Sequence, residues 1–227
     1  KAGWKDVLLI ERAELTSGST WHAAGGMHTV NGDPNVAKLQ QYTIELYKEI
    51  EAISGVSCGV HITGGLMLAG TPERVDWLRM AVARGRYLGM DLQLISAAEA
   101  KKLYPLLDER HFLGAIYDPI EGHVDPYGVT HAYAKSAQLA GAEIVRQNRV
   151  IDTRQRADGT WDVITEKGTV HAEHLVNAGG LWAREVGRFV GLELPILAME
   201  HQYFITEDLP ELKSQPELKH VIDFEAE

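Results

Sequence analysis

Hydrophobic and polar positions switch between two periods along the chain. Val7-Leu8-Leu9-Ile10 is a continuous apolar run closed by Glu11, the pattern of a strand buried on both faces. Thr16 to Gly26 is rich in Gly and Ser and too small and polar to be core. From Asp33-Pro34 onward, Val36, Leu39, Leu46, Tyr47, Ile50 and Ile53 recur at helical spacing until Gly55, which predicts a long helix. Strand-like residues follow around 60–68, broken by Gly64-Gly65. Thr71-Pro72-Glu73 opens another helix, with Thr71 as N-cap and Pro72 at the first helical position. Ser96-Ala97-Ala98-Glu99 has the spacing of a capping box and opens a short helix that stops before Pro105.

Residues 112–117 read as a strand, and Asp125-Pro126 opens a third long helix through Leu139, closed by Gly141. Residues 143–146 and 149–154 look extended, and Asp158-Gly159 predicts a hairpin turn before 161–165. Residues 169–172 and 174–177 continue the strand pattern. Gly179-Gly180 leads into a helix to Val190, and 195–206 closes as one or two strands. No internal repeat or low-complexity tract interrupts this order. The expected class is α/β, a dinucleotide-type domain interleaved with a mixed-sheet lobe.

Composition narrows the function. The 227 residues carry 22 Lys+Arg against 32 Asp+Glu, a formal net charge of −10, with 45% hydrophobic and 24% charged residues. This is globular usage, and an acidic balance disfavours nucleic acid or an anionic membrane as partner, because phosphate binding needs clustered Lys and Arg. No apolar run reaches the roughly 18 residues of a membrane helix. The single cysteine, Cys58, excludes an internal disulfide and a multi-cysteine zinc site. Lys1-Ala2-Gly3-Trp4-Lys5-Asp6, with no initiator Met, reads as a helix end and turn, and the chain stops at Glu225-Ala226-Glu227 without a closing element. The expectation is an internal fragment lacking the true N-terminus, in which a targeting signal is not to be sought.

Three segments carry candidate chemistry. Glu11 ends a strand where dinucleotide-binding folds place an acidic residue on the adenosine ribose, about 20 residues after a Gly-rich loop. Taken alone it is equally a solvated carboxylate beside Arg12. Asn177-Ala178-Gly179-Gly180-Leu181-Trp182 joins a strand to a helix through small residues that let a phosphate or ring come close, or is an ordinary turn that needs glycine. The third segment is Ser17-Gly18-Ser19-Thr20-Trp21-His22-Ala23-Ala24-Gly25.

This last string resembles the FAD-attachment segment of the dimethylglycine and sarcosine dehydrogenase family, within the D-amino-acid-oxidase-like flavoproteins. The resemblance extends to the Glu11 strand, Val124-Asp125-Pro126, Ala140-Gly141-Ala142, Asn177 to Trp182, and Met199-Glu200-His201-Gln202-Tyr203. It implies an FAD-binding Rossmann-like domain over residues 1–54 and 124–194, lacking its first strand and Gly-rich loop. A partial substrate-binding domain would cover 55–123 and 195–227. It implies FAD held by Glu11, Arg12, Ser19, Thr20, His22, Val150, Gly179 and Trp182, with a covalent bond from His22 to the flavin 8α-methyl carbon. A neutral imidazole nitrogen is a competent nucleophile for that carbon.

The same resemblance puts His201 on the substrate side of the flavin. Tyr203, two positions on, would share its face if the segment is a strand. The implied reaction is oxidative demethylation of a small N-methyl amino acid, dimethylglycine or sarcosine, by hydride transfer from the N-methyl carbon to the flavin. Electrons would pass to an electron-transfer flavoprotein or to oxygen. Tetrahydrofolate would enter only through a further region of the full-length protein. The implied location is the cytoplasm in a bacterium and the mitochondrial matrix in a eukaryote.

Two other readings compete. A non-catalytic regulatory relative would keep the fold without needing His22, and a nicotinamide-dependent dehydrogenase would give the His22 string no role. His171, Glu173 and His174 read as a solvated strand edge rather than a metal site, and no metal ligands are expected. Glu121-Gly122-His123 reads as a polar turn or a pocket loop, Arg84 and Arg86 as solvated helix residues, and Cys58 as a small buried residue.

Overall fold

The computed structural model describes residues 3–214 and 217–223, so the expectations for Lys1-Ala2 and for Glu225-Ala226-Glu227 lie outside it. The first apolar run forms β1 (Leu8–Ile10), followed by a 3-10 turn at Ser19–His22 and a short β2 (Gly26–Met27). Asp33 starts α1 (Pro34–Ser54) by accepting the backbone N–H groups of Asn35 and Val36 at 2.7 and 3.1 Å. Gly55 ends it at φ 69°, a left-handed conformation that costs glycine nothing. Next come β3 (Gly65–Ala69), α2 (Pro72–Tyr87) capped by the Thr71 hydroxyl, β4 (Gln93–Ser96) and α3 (Ala97–Leu103). The capping box is complete: Ser96 Oγ accepts the Glu99 N–H at 3.3 Å, and the Glu99 carboxylate accepts the Ser96 N–H at 2.8 Å. β5 (Gly114–Asp118), β6 (Gly122–His123) and α4 (Pro126–Leu139) precede the strand-rich part. That part holds β7 (Glu143–Val145), β8 (Val150–Gln155), β9 (Trp161–Thr165), β10 (Gly168–Ala172), α5 (Ala183–Arg188) and a late β11 (His220–Asp223). No helix among the described residues is long and apolar enough to cross a membrane.

Two compact units result. The first comprises Lys1–His22 and Ala134–Thr206. In it β1 runs parallel to β7, with Leu8 opposite Glu143 and Ile10 opposite Val145. A separate antiparallel sheet has the order β10-β9-β8, its turn set by Gly159 at φ 87°.

The second unit comprises Ala23–Tyr133 and Glu207–Glu227. Its main sheet has the order β11-β3-β5-β4, with β3 parallel to β11 and antiparallel to β5. Every residue of β3 is buried. Leu66 and Leu68 pack with Ala100, Phe112 and Ala115, whereas Met67 and Ala69 pack with Leu78, Val82, Met90, Leu92 and Ile116. Alternation with period two thus sends one set toward α3 and the other toward α2, which is why β3 is apolar throughout. A further core joins α1 and α4 through Ile50, Cys58 and Ala132, with Ile44, Met27 and Val124 beside it.

Two differences from the sequence reading have physical causes. Residues 174–177 and 195–206 form no strand. Their alternation meets no partner ladder, and Val176, Leu197, Met199, Phe204 and Ile205 are exposed. An unpaired segment cannot satisfy its backbone groups as a strand does. Conversely, β11 forms where no strand was expected, because β3 offers it a parallel edge.

Among the described glycines of the second unit, Gly122 has the least room. A Cβ there would lie 1.9 Å from the His61 carbonyl oxygen, which is backbone and cannot swing aside. Gly122→Ala is therefore expected to cost about 1–3 kcal/mol by overpacking, read as a lower urea midpoint. An unchanged midpoint would show that the 61–63 segment yields freely.

Candidate functional site

The end of β1 positions the first functional side chain. The Glu11 N–H donates to the Val145 carbonyl at 2.8 Å, and the Glu11 carbonyl accepts the Asn148 N–H at 3.0 Å. With its backbone clamped at both groups, Glu11 turns Oε1 back to accept the Ala13 N–H at 2.8 Å. No other donor reaches this carboxylate among the described residues, so Oε2 remains an open acceptor.

Arg12 follows and lays its guanidinium over the Trp182 ring, 3.7 Å from the centroid. Gly18 faces the same indole, and a Cβ there would stand 3.8 Å from it. Trp182 in turn ends the 3-10 turn Gly180–Trp182, whose geometry Asn177 holds. Asn177 Oδ1 accepts the Gly179 N–H at 3.1 Å while Nδ2 donates to the Ala183 carbonyl at 2.9 Å. Gly180 sits at φ 53°, in the left-handed region. Three sequence-distant loops, 11–13, 17–22 and 177–183, therefore meet on one aromatic ring, joined by a cation–π contact.

His22 closes the Ser19–His22 turn and is exposed. Its Nδ1 lies 3.2 Å from the Tyr203 hydroxyl, 181 residues away in sequence. Nε2 has no hydrogen-bond partner among the described residues. Ser19 and Thr20 share the turn with His22, and Val150 opens β8 in register with Thr165. His201 is exposed and has no hydrogen-bond, ion-pair or ring partner among the described residues. The same-face argument for His201 and Tyr203 depended on a strand that does not form, so pleating does not couple them.

The remaining candidates resolve into ordinary contacts. His171 Nδ1 lies 2.6 Å from Asp162 across the β9–β10 ladder, and His174 packs edge-on to Trp4 at 5.0 Å. Arg84 donates to the Gly32 carbonyl and Arg86 is exposed. Cys58 is 0% exposed, and burial pushes its thiol pKa up.

Glu121, left open by the sequence between turn and pocket loop, is a buried hub of the second unit at 3% exposure. Its Oε1 accepts the Thr29 N–H at 2.8 Å and its Oε2 lies 3.0 Å from His220 Nε2. Burial works against ionisation, but His220, His28 and the Thr29 N–H outweigh it and hold the carboxyl at about 2. Asp118, nearby in sequence, is instead pushed up, mainly by burial. His28 and His220 were not singled out in the sequence. Each stands in a short segment with no motif, and only folding brings them to Glu121.

Comparison with known proteins identifies the family. Residues 1–225 match the sequence family described as FAD dependent oxidoreductase. Mitochondrial dimethylglycine dehydrogenase of Rattus norvegicus is 41% identical over 214 residues, covering 94% of this chain and 25% of that protein. Mitochondrial sarcosine dehydrogenase of Homo sapiens is 32% identical over 225 residues, covering 96% of this chain and 24% of that protein. The chain thus spans about a quarter of the length of these relatives. Among solved structures, L-proline dehydrogenase from P. horikoshii superposes with a TM-score of 0.77 at 28% identity, covering 84% of this chain and 50% of that one.

Two outcomes follow from the contacts. Asn177→Ala removes both bonds that hold the 177–183 turn, and is expected to cost about 1–3 kcal/mol and to speed amide exchange at Gly179. Unchanged exchange would mean that the turn is held by packing alone. Cys58 is expected to resist a thiol reagent in the native protein and to react in full once denatured; ready native reaction would contradict its burial.

Proposed function

This chain belongs to the family of FAD dependent oxidoreductases, and from that premise we propose that it forms part of an enzyme demethylating a small N-methyl amino acid, dimethylglycine or sarcosine. The observation that carries the reading is His22, exposed on its turn within Ser17 to Gly25 and backed on Nδ1 by the Tyr203 hydroxyl. Similarity to two enzymes named for such substrates supports the substrate class.

Bound FAD supplies the two-electron acceptor for the hydride that leaves the N-methyl carbon. The chain's own residues bind and orient. Glu11 offers its open Oε2 to the adenosine ribose hydroxyls, the use of an acidic strand end in dinucleotide folds. Arg12 and Trp182 hold the loops of Glu11 and Gly179 together, and Ser19, Thr20, Val150 and Gly179 complete the cofactor contacts. With His22 Nδ1–H donating to the Tyr203 oxygen, Nε2 would carry the lone pair through which His22 could hold the flavin at its 8α-methyl carbon. His201 and Tyr203 serve the substrate side, where His201 takes the ammonium proton so that the nitrogen lone pair can assist hydride loss.

The acceptor in this reading is an electron-transfer flavoprotein or oxygen. Tetrahydrofolate belongs to a further region of a longer polypeptide. The location is the mitochondrial matrix in a eukaryote, as the names of the relatives suggest, and the cytoplasm in a bacterium.

The test is an acid-denatured sample of the protein, isolated with its flavin and run on a denaturing gel under ultraviolet light. Fluorescence is expected to stay with the polypeptide and to vanish in His22→Ala. Flavin released to the supernatant by the parent protein would remove His22 as attachment site. No flavin in either fraction would favour a non-catalytic relative.

A further inference from the structure

Outside the flavin-facing unit, three donors converge from segments far apart in sequence. His28 follows β2, Glu121 precedes β6 and His220 begins β11, all within the second unit. Glu121 Oε2 lies 3.0 Å from His220 Nε2 and 3.6 Å from His28 Nδ1. The two imidazoles stand edge-to-face with centroids 4.5 Å apart. One ligand atom from each of the three residues falls within 4.8 Å of the others.

Hydrogen bonding within the protein leaves this cluster incomplete. His28 Nδ1 is buried and has no hydrogen-bond partner, and the same holds for His220 Nδ1. A buried imidazole nitrogen facing a carboxylate without a bond is a group whose partner is absent. The Thr29 N–H fixes Glu121 Oε1 at 2.8 Å, so the carboxylate presents Oε2 alone to the imidazoles. That is the arrangement by which an outer hydrogen bond orients a ligating carboxylate.

We propose that His28, Glu121 and His220 form a binding site for a divalent transition-metal ion of the zinc type. Two imidazoles and one carboxylate suit zinc and its neighbours, whereas calcium and magnesium prefer sites made wholly of oxygen. Three protein ligands leave a position for water. The ion ties the β2 segment to the head of β11 and gives His28 Nδ1 its partner. The site is independent of the flavin reading. His61 and His123, which stack on each other with centroids 4.8 Å apart, are outside the donor set.

The test strips the purified protein with a chelator, reloads it with zinc alone, and counts retained metal by mass spectrometry after dialysis. One equivalent is expected in the parent protein and in His61→Ala. His28→Gln and Glu121→Gln, checked for folding by circular dichroism, should each weaken binding at least roughly tenfold. Cobalt loaded into the parent protein should show the visible absorption of a site with nitrogen ligands, a readout that needs no variant. Failure of the parent to retain zinc, equal retention in His28→Gln, or loss confined to His61→Ala would overturn the proposal.

Discussion

The first unit depends on the indole of Trp182. Arg12 caps its face at 3.7 Å, and Gly18 stands where a Cβ would meet the ring at ordinary contact distance, 3.8 Å. A cation over an exposed aromatic ring is worth only about 0.5–1 kcal/mol, yet its position matters more than its size. It links the loop after β1, which carries Glu11, to the turn that carries Gly179, and sets the Ser19–His22 turn beside both. Glu11, His22 and Gly179, which the proposed function gives to the cofactor, thus stand on loops that share one contact.

The second unit solves a different problem, the burial of charge. Thr29 is 0% exposed and serves two carboxylates at once, its N–H bonding Glu121 and its hydroxyl bonding Asp118. The two acids respond in opposite directions. Glu121 faces imidazoles and stays ionised, whereas at Asp118 burial outweighs the bond from the Thr29 hydroxyl and raises the pKa. Thr29 also adjoins His28, so the residue that orients one carboxylate fixes the chain next to the imidazole that faces it.

What was legible in the sequence was local. Asp33, Thr71 and the Ser96–Glu99 pair marked helix starts because caps act over three residues, and Asp158-Gly159 marked its hairpin for the same reason. The string around His22 was legible as family resemblance. What required the whole chain was not visible. β11 exists because β3 accepts it from more than a hundred residues away, and the alternating residues 195–206 stay unpaired because nothing accepts them. The contact of His22 with Tyr203 and the meeting of His28, Glu121 and His220 are likewise long-range. No periodicity reports such convergence.

The exposed segment 195–206 has a consequence for handling the protein. Leu197, Met199, Phe204 and Ile205 are each more than three-quarters exposed, on backbone that joins no strand or helix. Such a stretch is a template for strand addition from another molecule. Tyr203, whose hydroxyl stands beside His22, lies within this same stretch, so anything that pairs with the segment would act on that contact too.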